Sequence, residues 1–87
     1  MKHIGTFRKT SDTSIKVIIN DVPTVFNLWD GLDEMLSNDI WYPIYFIGYS
    51  DGSFVVIYHD SELNKIRYLS TVNIKNSVLS LIKELGF

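Results

Sequence analysis

Apolar and polar side chains alternate early in the chain, which is the period-two pattern of a half-buried β-strand. Ile15, Val17 and Ile19 would share one face of such a strand, with Lys16 on the other. A shorter β-rich run at 7–9 is separated from it by the polar stretch 10–13. The two runs predict a β-hairpin, and a turn signal at 20–23 ends its second strand.

A helical period follows the hairpin. Apolar residues recur at the i, i+3, i+4, i+7 spacing of an amphipathic helix, at Val25, Leu28, Trp29, Leu32, Met35 and Leu36. Asn27 resembles an N-cap, which would start the helix near Leu28 and leave 23–26 extended. The pattern does not decide whether 23–26 is strand or helix.

The second half of the chain predicts three strands and a final helix. Asp51-Gly52 between the β-rich runs 40–49 and 54–59 is a strong signal for a two-residue type I′ turn. A further strand follows at 65–72. The last helix has Asn73 as N-cap and Gly86 as its C′ residue, and its apolar positions are Ile74, Val78, Leu81, Ile82 and Leu85.

These elements form one domain, residues 1–87, of the α+β class. Their order is ββαβββα. We expect an antiparallel sheet of about five strands that is covered by two amphipathic helices.

Aromatic side chains are concentrated in the predicted hairpin. A two-residue loop pairs Tyr49 with Phe54 and Tyr45 with Tyr58, so the four rings would share one sheet face with Trp41 in line. The opposite face would pair Ile44 with His59. The aromatic face has two interpretations: it is a recognition surface, or the N-terminal strands or a helix cover it and its rings belong to the core.

The strand after Asp60 has two possible registers. If Tyr58 pairs with Ile66, the cations Lys65 and Arg67 point away from the aromatic face. A slip of one residue pairs Tyr58 with Arg67 and brings both cations beside the rings. We favour the first register, because the second places two cations on an apolar face without a carboxylate in the hairpin strands to pair with them.

Charge is strongly segregated along the chain. Positions 17–64 hold eight carboxylates and no Lys or Arg, whereas the two ends carry a net charge of +6. Three of the carboxylates, Asp30, Asp33 and Glu34, would lie on the polar face of the first helix, with Asp39 just beyond it. An acidic helix face suits a basic partner, although a solvated face neutralised by the terminal strands is the simpler interpretation.

Composition argues against catalysis and cofactor chemistry. The chain has no Cys and two His, and it contains no phosphate-binding glycine motif, nucleophile elbow or zinc-binding helix motif. We therefore expect no catalytic residue, cofactor or metal. The longest mostly apolar run is shorter than the roughly 20 residues that span a bilayer, and no secretory signal is evident, so a cytoplasmic location without membrane contact is expected.

Three functions remain compatible with the sequence. The first is a non-enzymatic protein-binding module that contacts a basic or nucleic-acid-binding protein, or a second copy of itself, through the acidic helix and the aromatic face. The candidate contact residues are Asp30, Asp33, Glu34, Asp39, Trp41, Tyr45, Tyr49, Phe54 and Tyr58. The chain lacks Ala and Gln, a usage typical of short phage and mobile-element reading frames, which favours an inhibitor or immunity-type accessory protein.

Two alternatives are kept. One is a single-stranded nucleic-acid binder that uses the aromatic strands with Lys65 and Arg67, which the second register would favour, whereas the first register favours protein contact. The other is a small-ligand binder with the tyrosine face as a pocket wall.

Overall fold

A computed structural model describes residues 2–28, 32, 36–50, 53–70 and 75–87. The chain order in this part is six strands followed by one helix. The strands are β1 (Gly5–Ser11), β2 (Ser14–Ile19), β3 (Val22–Asn27), β4 (Tyr42–Ser50), β5 (Ser53–Asp60) and β6 (Lys65–Ser70), and the helix is α1 (Lys75–Glu84).

The six strands form one antiparallel sheet in the order β3-β2-β1-β4-β5-β6. Each half of the sheet is a three-stranded meander, and the short β1–β4 pair joins the two. We call β1–β3 the N-terminal half, and β4–β6 with α1 the C-terminal half. The fold is therefore a small, sheet-dominated antiparallel domain with one described helix.

The sheet is strongly curled around its inner face. Phe26 of β3 and Phe54 of β5 have ring centroids 4.9 Å apart, although four inter-strand steps would separate their strands by about 19 Å in a flat sheet. Phe7 of β1 stacks on Tyr42 at 5.2 Å and meets the edge of Tyr58 at 5.0 Å. The inner faces of the two halves consequently pack on each other and form the core.

One glycine permits the close approach of strands where the two halves meet. Gly5 pairs with Ile44 of β4, and a Cβ atom at this position would clash with the carbonyl oxygen of Ile18. A side chain here would force β1 away from β2. Gly5 therefore contributes to the curl that brings the inner faces together.

The β3–β4 connection closes one end of the core. Leu28 and Leu36 are buried, and Leu32 packs against the same cluster. The Leu28 N–H donates to the carbonyl of Thr13 at 2.6 Å, and the Leu32 N–H donates to that of Asp12 at 2.8 Å. The leucines thus cover the inner face at the β1–β2 turn.

The predicted first helix falls mainly outside the described residues. Of positions 28–36, the structure describes Leu28, Leu32 and Leu36, and none of these three is in a helix or strand. Trp29 and Met35 lie outside the description. Val25, which the helical pattern included, belongs to β3, so the segment 23–26 is a strand. The sheet accordingly has six strands rather than about five.

The third strand arises from a turn that sequence analysis took only as the end of β2. Asn20 and Asp21 have φ angles of 52° and 63°, and Ile19 pairs directly with Val22. Two consecutive left-handed residues between paired positions make a type I′ hairpin turn, which Asn and Asp tolerate. The chain therefore returns as β3 instead of entering a helix.

The β4–β5 hairpin follows the predicted pairing near its turn. Tyr49 pairs with Phe54 and Ser50 with Ser53, which confirms a two-residue connection. The turn residues Asp51 and Gly52 themselves lie outside the described part of the chain.

Helix α1 covers the outer face of the C-terminal half. Ile57 points to this face and is fully buried, and the Phe87 ring lies 4.9 Å from that of Tyr45. Gly86 has a φ of 96°; its N–H donates to the Lys83 carbonyl and the Phe87 N–H to the Ile82 carbonyl. This is a Schellman C-cap, which confirms Gly86 as C′, whereas the predicted N-cap Asn73 lies outside the described residues.

Candidate functional site

A β-bulge divides the predicted aromatic face. Phe46 pairs with Ile57 as expected, but Ile44, and not Tyr45, pairs with Tyr58. Tyr45 is the extra residue of the bulge, and its ring packs against Phe87 at the C-terminus. The predicted pairs Tyr45–Tyr58 and Ile44–His59 are therefore wrong, because a bulge shifts the register of every earlier residue by one.

The rings of Phe54 and Tyr58 belong to the core. Their exposed fractions are 5% and 0%, and they contact Phe26 and Phe7 from the N-terminal half. This matches the interpretation in which the N-terminal strands cover the aromatic face. The side chain of Tyr49 lies outside what the structure describes.

The β5–β6 pair adopts the register that sequence analysis disfavoured. Tyr58 pairs with Arg67 and Asp60 with Lys65, so the expected pairing of Tyr58 with Ile66 is wrong. The error has a specific cause. Asp60, at the end of the hairpin, supplies the carboxylate that the inward-facing Arg67 needs.

Asp60 organises the β5–β6 turn through three contacts. Its side chain is 1% exposed; Oδ1 accepts the N–H groups of Glu62 at 3.0 Å and Leu63 at 3.2 Å. Oδ2 accepts a hydrogen bond from Nη1 of Arg67 at 3.2 Å. A buried carboxylate with two backbone donors and one cation is well satisfied, and the site is structural.

The nucleic-acid alternative depends on Lys65 and Arg67, which differ in exposure. Arg67 is paired and its side chain is 17% exposed, while Tyr58 is buried beneath it. Lys65 is exposed, whereas Phe54 and Tyr58 of the predicted aromatic face are buried.

The predicted acidic face is described only at its end. Asp39 is exposed, and its N–H donates to Oγ of Ser37 at 3.4 Å. Asp30, Asp33 and Glu34 lie outside the described residues.

The outer face of the N-terminal half is the surface that sequence analysis missed. Arg8 lies over the Trp41 ring, with its guanidinium carbon 5.1 Å from the ring centroid. Arg8 pairs directly with Lys16, and Lys16 pairs with Val25. The side chains of Trp41, Arg8, Lys16 and Val25 therefore form a row across the strands of the sheet. With Ile18 and Pro23 of the neighbouring row, we call this surface the cationic outer patch (Arg8, Lys16, Ile18, Pro23, Val25 and Trp41).

The patch is accessible. Val25 is 57% exposed and Trp41 is 39% exposed, and Pro23 is also exposed. No strand or helix of the described chain lies over these residues, in contrast to the outer face beneath α1. The β1–β4 pairing that brings Trp41 beside Arg8 is a long-range contact, so no local signal in the sequence could have revealed it.

Within the described part of the chain, the charge of the patch is not compensated by a carboxylate. The strands β1, β2 and β3 contain no Asp or Glu. An ion pair between Lys9 and Asp12, at 3.6 Å, belongs to the β1–β2 turn. Among the described residues no carboxylate pairs with Arg8 or Lys16; both side chains are half-buried, and Nε of Arg8 is fully buried without a hydrogen-bond partner.

The core contains two further features, an apolar cavity and a buried tyrosine hydroxyl. An apolar cavity of about 160 Å³ lies at the open end of the curled sheet, lined by Val17, Ile19, Val22, Thr24, Phe26 and Ile47. Thr24 is its one polar lining residue, which is too little to orient a specific ligand. At the opposite end the Tyr42 hydroxyl accepts the N–H of Ser37 at 2.8 Å, and burial raises the pKa of this hydroxyl above its ordinary value.

The described residues contain neither a cluster of metal-ligating side chains nor a membrane-spanning helix. No three His, Asp or Glu side chains of that part converge on a point where a metal ion could bind. Its helix is not long and apolar enough to cross a bilayer. Comparison of the chain with protein-family models, curated proteins and solved structures finds no match. Its function is therefore inferred from its own geometry and charge.

Proposed function

We propose that this chain is a non-enzymatic protein-binding module and that the cationic outer patch is its principal contact surface. The observation that carries the proposal is the accessible row of Trp41, Arg8, Lys16 and Val25 on a face that no described element covers. A Trp ring and an Arg side chain in contact are the residue types that most often anchor protein interfaces. Apolar neighbours around them exclude water from the contact.

The face, and not the edge of the sheet, is the better contact surface. β3 is an edge strand, and edge strands can add a further strand from a partner. Pro23 lies two positions after the type I′ turn, where the backbone nitrogen faces the open edge of the sheet. Proline has no N–H to donate at this position. Strand addition at β3 would therefore lose a hydrogen bond, so side-chain contacts of the face carry the interaction.

The acidic residues form a second, separate part of the proposal. Asp39 is exposed, and Asp30, Asp33 and Glu34 precede it in a stretch without any cation. This stretch suits a basic partner surface, as expected for an inhibitor or immunity-type protein of a phage or mobile element that acts on a nucleic-acid-binding protein. A partner that contacts both surfaces would need charges of both signs.

Single-stranded nucleic acid is the second candidate, because the patch places a cation over an exposed ring. Proteins that bind single strands stack successive bases on several rings within a basic groove. In the patch, Trp41 is the one aromatic residue, and the whole chain has a net charge of −2. These features favour protein over nucleic acid.

Affinity capture with immobilised wild-type protein and two variants tests the proposal. The patch variant is Trp41→Ala with Val25→Ser, and the matched control is Leu63→Ala with Leu79→Ser, which removes two exposed apolar side chains from the C-terminal half. We expect a specific protein to be retained by wild type and control and lost with the patch variant. Direct titration of that purified protein then gives the affinity.

Two outcomes would contradict the proposal. Retention of nuclease-sensitive material in place of protein would support the nucleic-acid candidate. Equal retention of the same protein by the patch variant would place the contact surface elsewhere on the molecule.

A further inference from the structure

We infer that the patch binds an amphipathic helix whose contact face carries carboxylates between apolar side chains; this inference rests on the proposed function. The partner's contact surface would then be an acidic, amphipathic helix. Three observations on the chain support it: the way its own helix covers the other half, the charge of the patch, and the dimensions of the patch.

The C-terminal half shows what covers such a face. The two halves are three-stranded antiparallel meanders that meet at the β1–β4 pair, and they present their outer faces on the same side of the sheet. On the C-terminal half this face is covered by α1, where Leu79 and Ile82 lie near Ile66 and Tyr68 of β6. The N-terminal half has an outer face of the same width and no described helix on it.

The positive charge of Arg8 and Lys16 favours a helix with acidic residues on this face. Arg8 and Lys16 stand opposite each other on β1 and β2, and these strands and β3 hold no carboxylate. A neutral or basic helix would desolvate two cations without compensation, which is unfavourable. A helix with Asp or Glu at these positions would form charge-assisted hydrogen bonds with both.

The dimensions agree with a short helix. The row from Trp41 to Val25 crosses three inter-strand spacings, or about 14 Å. Helix α1 has 10 residues, which corresponds to a length of about 15 Å. A helix of this length can place carboxylates over Arg8 and Lys16 while one apolar side chain reaches Trp41 and another reaches Val25.

The test titrates the full chain with labelled helical peptides of about 18 residues, a length at which isolated helices become stable. One peptide carries Glu on the central positions of an otherwise Leu-rich face, a second carries Gln there, and a third carries Lys. A labelled oligo-dT of comparable length is the fourth probe. Backbone amide NMR shifts identify the surface that each probe contacts.

We expect the Glu peptide to shift amides of β1–β3 and to bind about tenfold more tightly than the Gln peptide, as two new ion pairs of modest strength would give. The double variant Arg8→Gln, Lys16→Gln should abolish this preference. The matched control Lys65→Gln, Lys83→Gln also removes two exposed charges, from β6 and α1, and should keep it.

The contrary outcomes separate this inference from the proposed function. Equal binding of the Glu and Gln peptides on β1–β3 would overturn the acidic helix while leaving protein binding at the patch intact. Binding of oligo-dT alone at the patch would overturn both. Absence of binding by every peptide, together with capture of a protein that the patch variant loses, would overturn the helix and retain the protein-binding function.

Discussion

The two halves of the sheet have the same topology but complete their outer faces in different ways. The C-terminal half covers its outer face with its own helix, and its inward cation Arg67 pairs with the buried Asp60. The N-terminal half leaves its outer face open, and its outward cations Arg8 and Lys16 have no carboxylate partner among the described residues. The two halves therefore share a topology but differ in whether a described helix lies on the outer face and in whether the cations have a carboxylate partner among the described residues.

The largest expected effect concerns the buried ion pair. Asp60→Ala should destabilise the fold by about 3–5 kcal/mol, because it leaves Arg67 without its carboxylate and frees two backbone N–H groups. Asp60→Asn retains an acceptor for the N–H groups and should cost less. Urea unfolding measures both free energies, and a loss below about 1 kcal/mol for Asp60→Ala would show that the pair is not structural.

An isoleucine on the outer face of each middle strand gives a direct comparison. Ile57→Ala should cost about 2–5 kcal/mol, since Ile57 is fully buried on the outer face of the C-terminal half. Ile18 lies on the open face and is half-buried, so Ile18→Ala should cost under about 1.5 kcal/mol. Equal losses in thermal or urea unfolding would mean that the N-terminal face is covered as well.

Tyr42, which stacks on Phe7 of the N-terminal half, should make the stability of the fold depend on pH in the alkaline range. Its raised pKa means that the folded state favours the neutral hydroxyl, so this stabilisation is complete below the unfolded pKa of about 10 and is lost as pH rises through the folded value. Tyr42→Phe should cost about 1 kcal/mol at neutral pH through the lost hydrogen bond with Ser37.

The alkaline range supplies the control for this prediction. The difference in unfolding free energy between wild type and Tyr42→Phe should shrink above about pH 10. A constant difference at all pH values would show that the hydroxyl does not titrate differently on folding.

The smallest expected effect is on the patch cations. Lys16→Gln should change stability by no more than about 0.5 kcal/mol, because Lys16 makes no ion pair within the described chain. Arg8→Gln should cost up to about 1 kcal/mol through the contact with Trp41. A much larger loss for Lys16→Gln would assign this cation to folding, which would remove the contrast with Arg67.

Local sequence patterns correctly predicted those elements whose structure depends on residues close together in the chain. The β1–β2 hairpin, the pairs next to the Asp51-Gly52 turn and the cap at Gly86 follow from period and turn chemistry. The first prediction that failed was the strand content, since Asn20-Asp21 forms a hairpin turn without glycine. The second was the register, because the bulge at Tyr45 and the pair Asp60–Arg67 each shift alignment by one residue.

The candidate site was less predictable than the fold. Of the nine expected contact residues, Trp41 alone lies in the patch, and Phe54 and Tyr58 are in the core. Arg8, Lys16 and Val25 were recognisable as strand residues, but Trp41, the ring that Arg8 contacts, lies immediately before β4, far away along the chain. Which side chains share a surface depends on contacts between distant strands.

The sequence by itself determined the period of each strand, the turns that local φ preferences permit, and the absence of cysteine and catalytic-motif chemistry. The tertiary structure alone decided which aromatic rings are buried, which cations are paired, and which sheet face stays open. The physical reason is that successive side chains of a strand point to opposite faces of the sheet, regardless of what packs on either face. Burial and charge compensation require a second surface, and only the curl of the sheet and the position of α1 supply one.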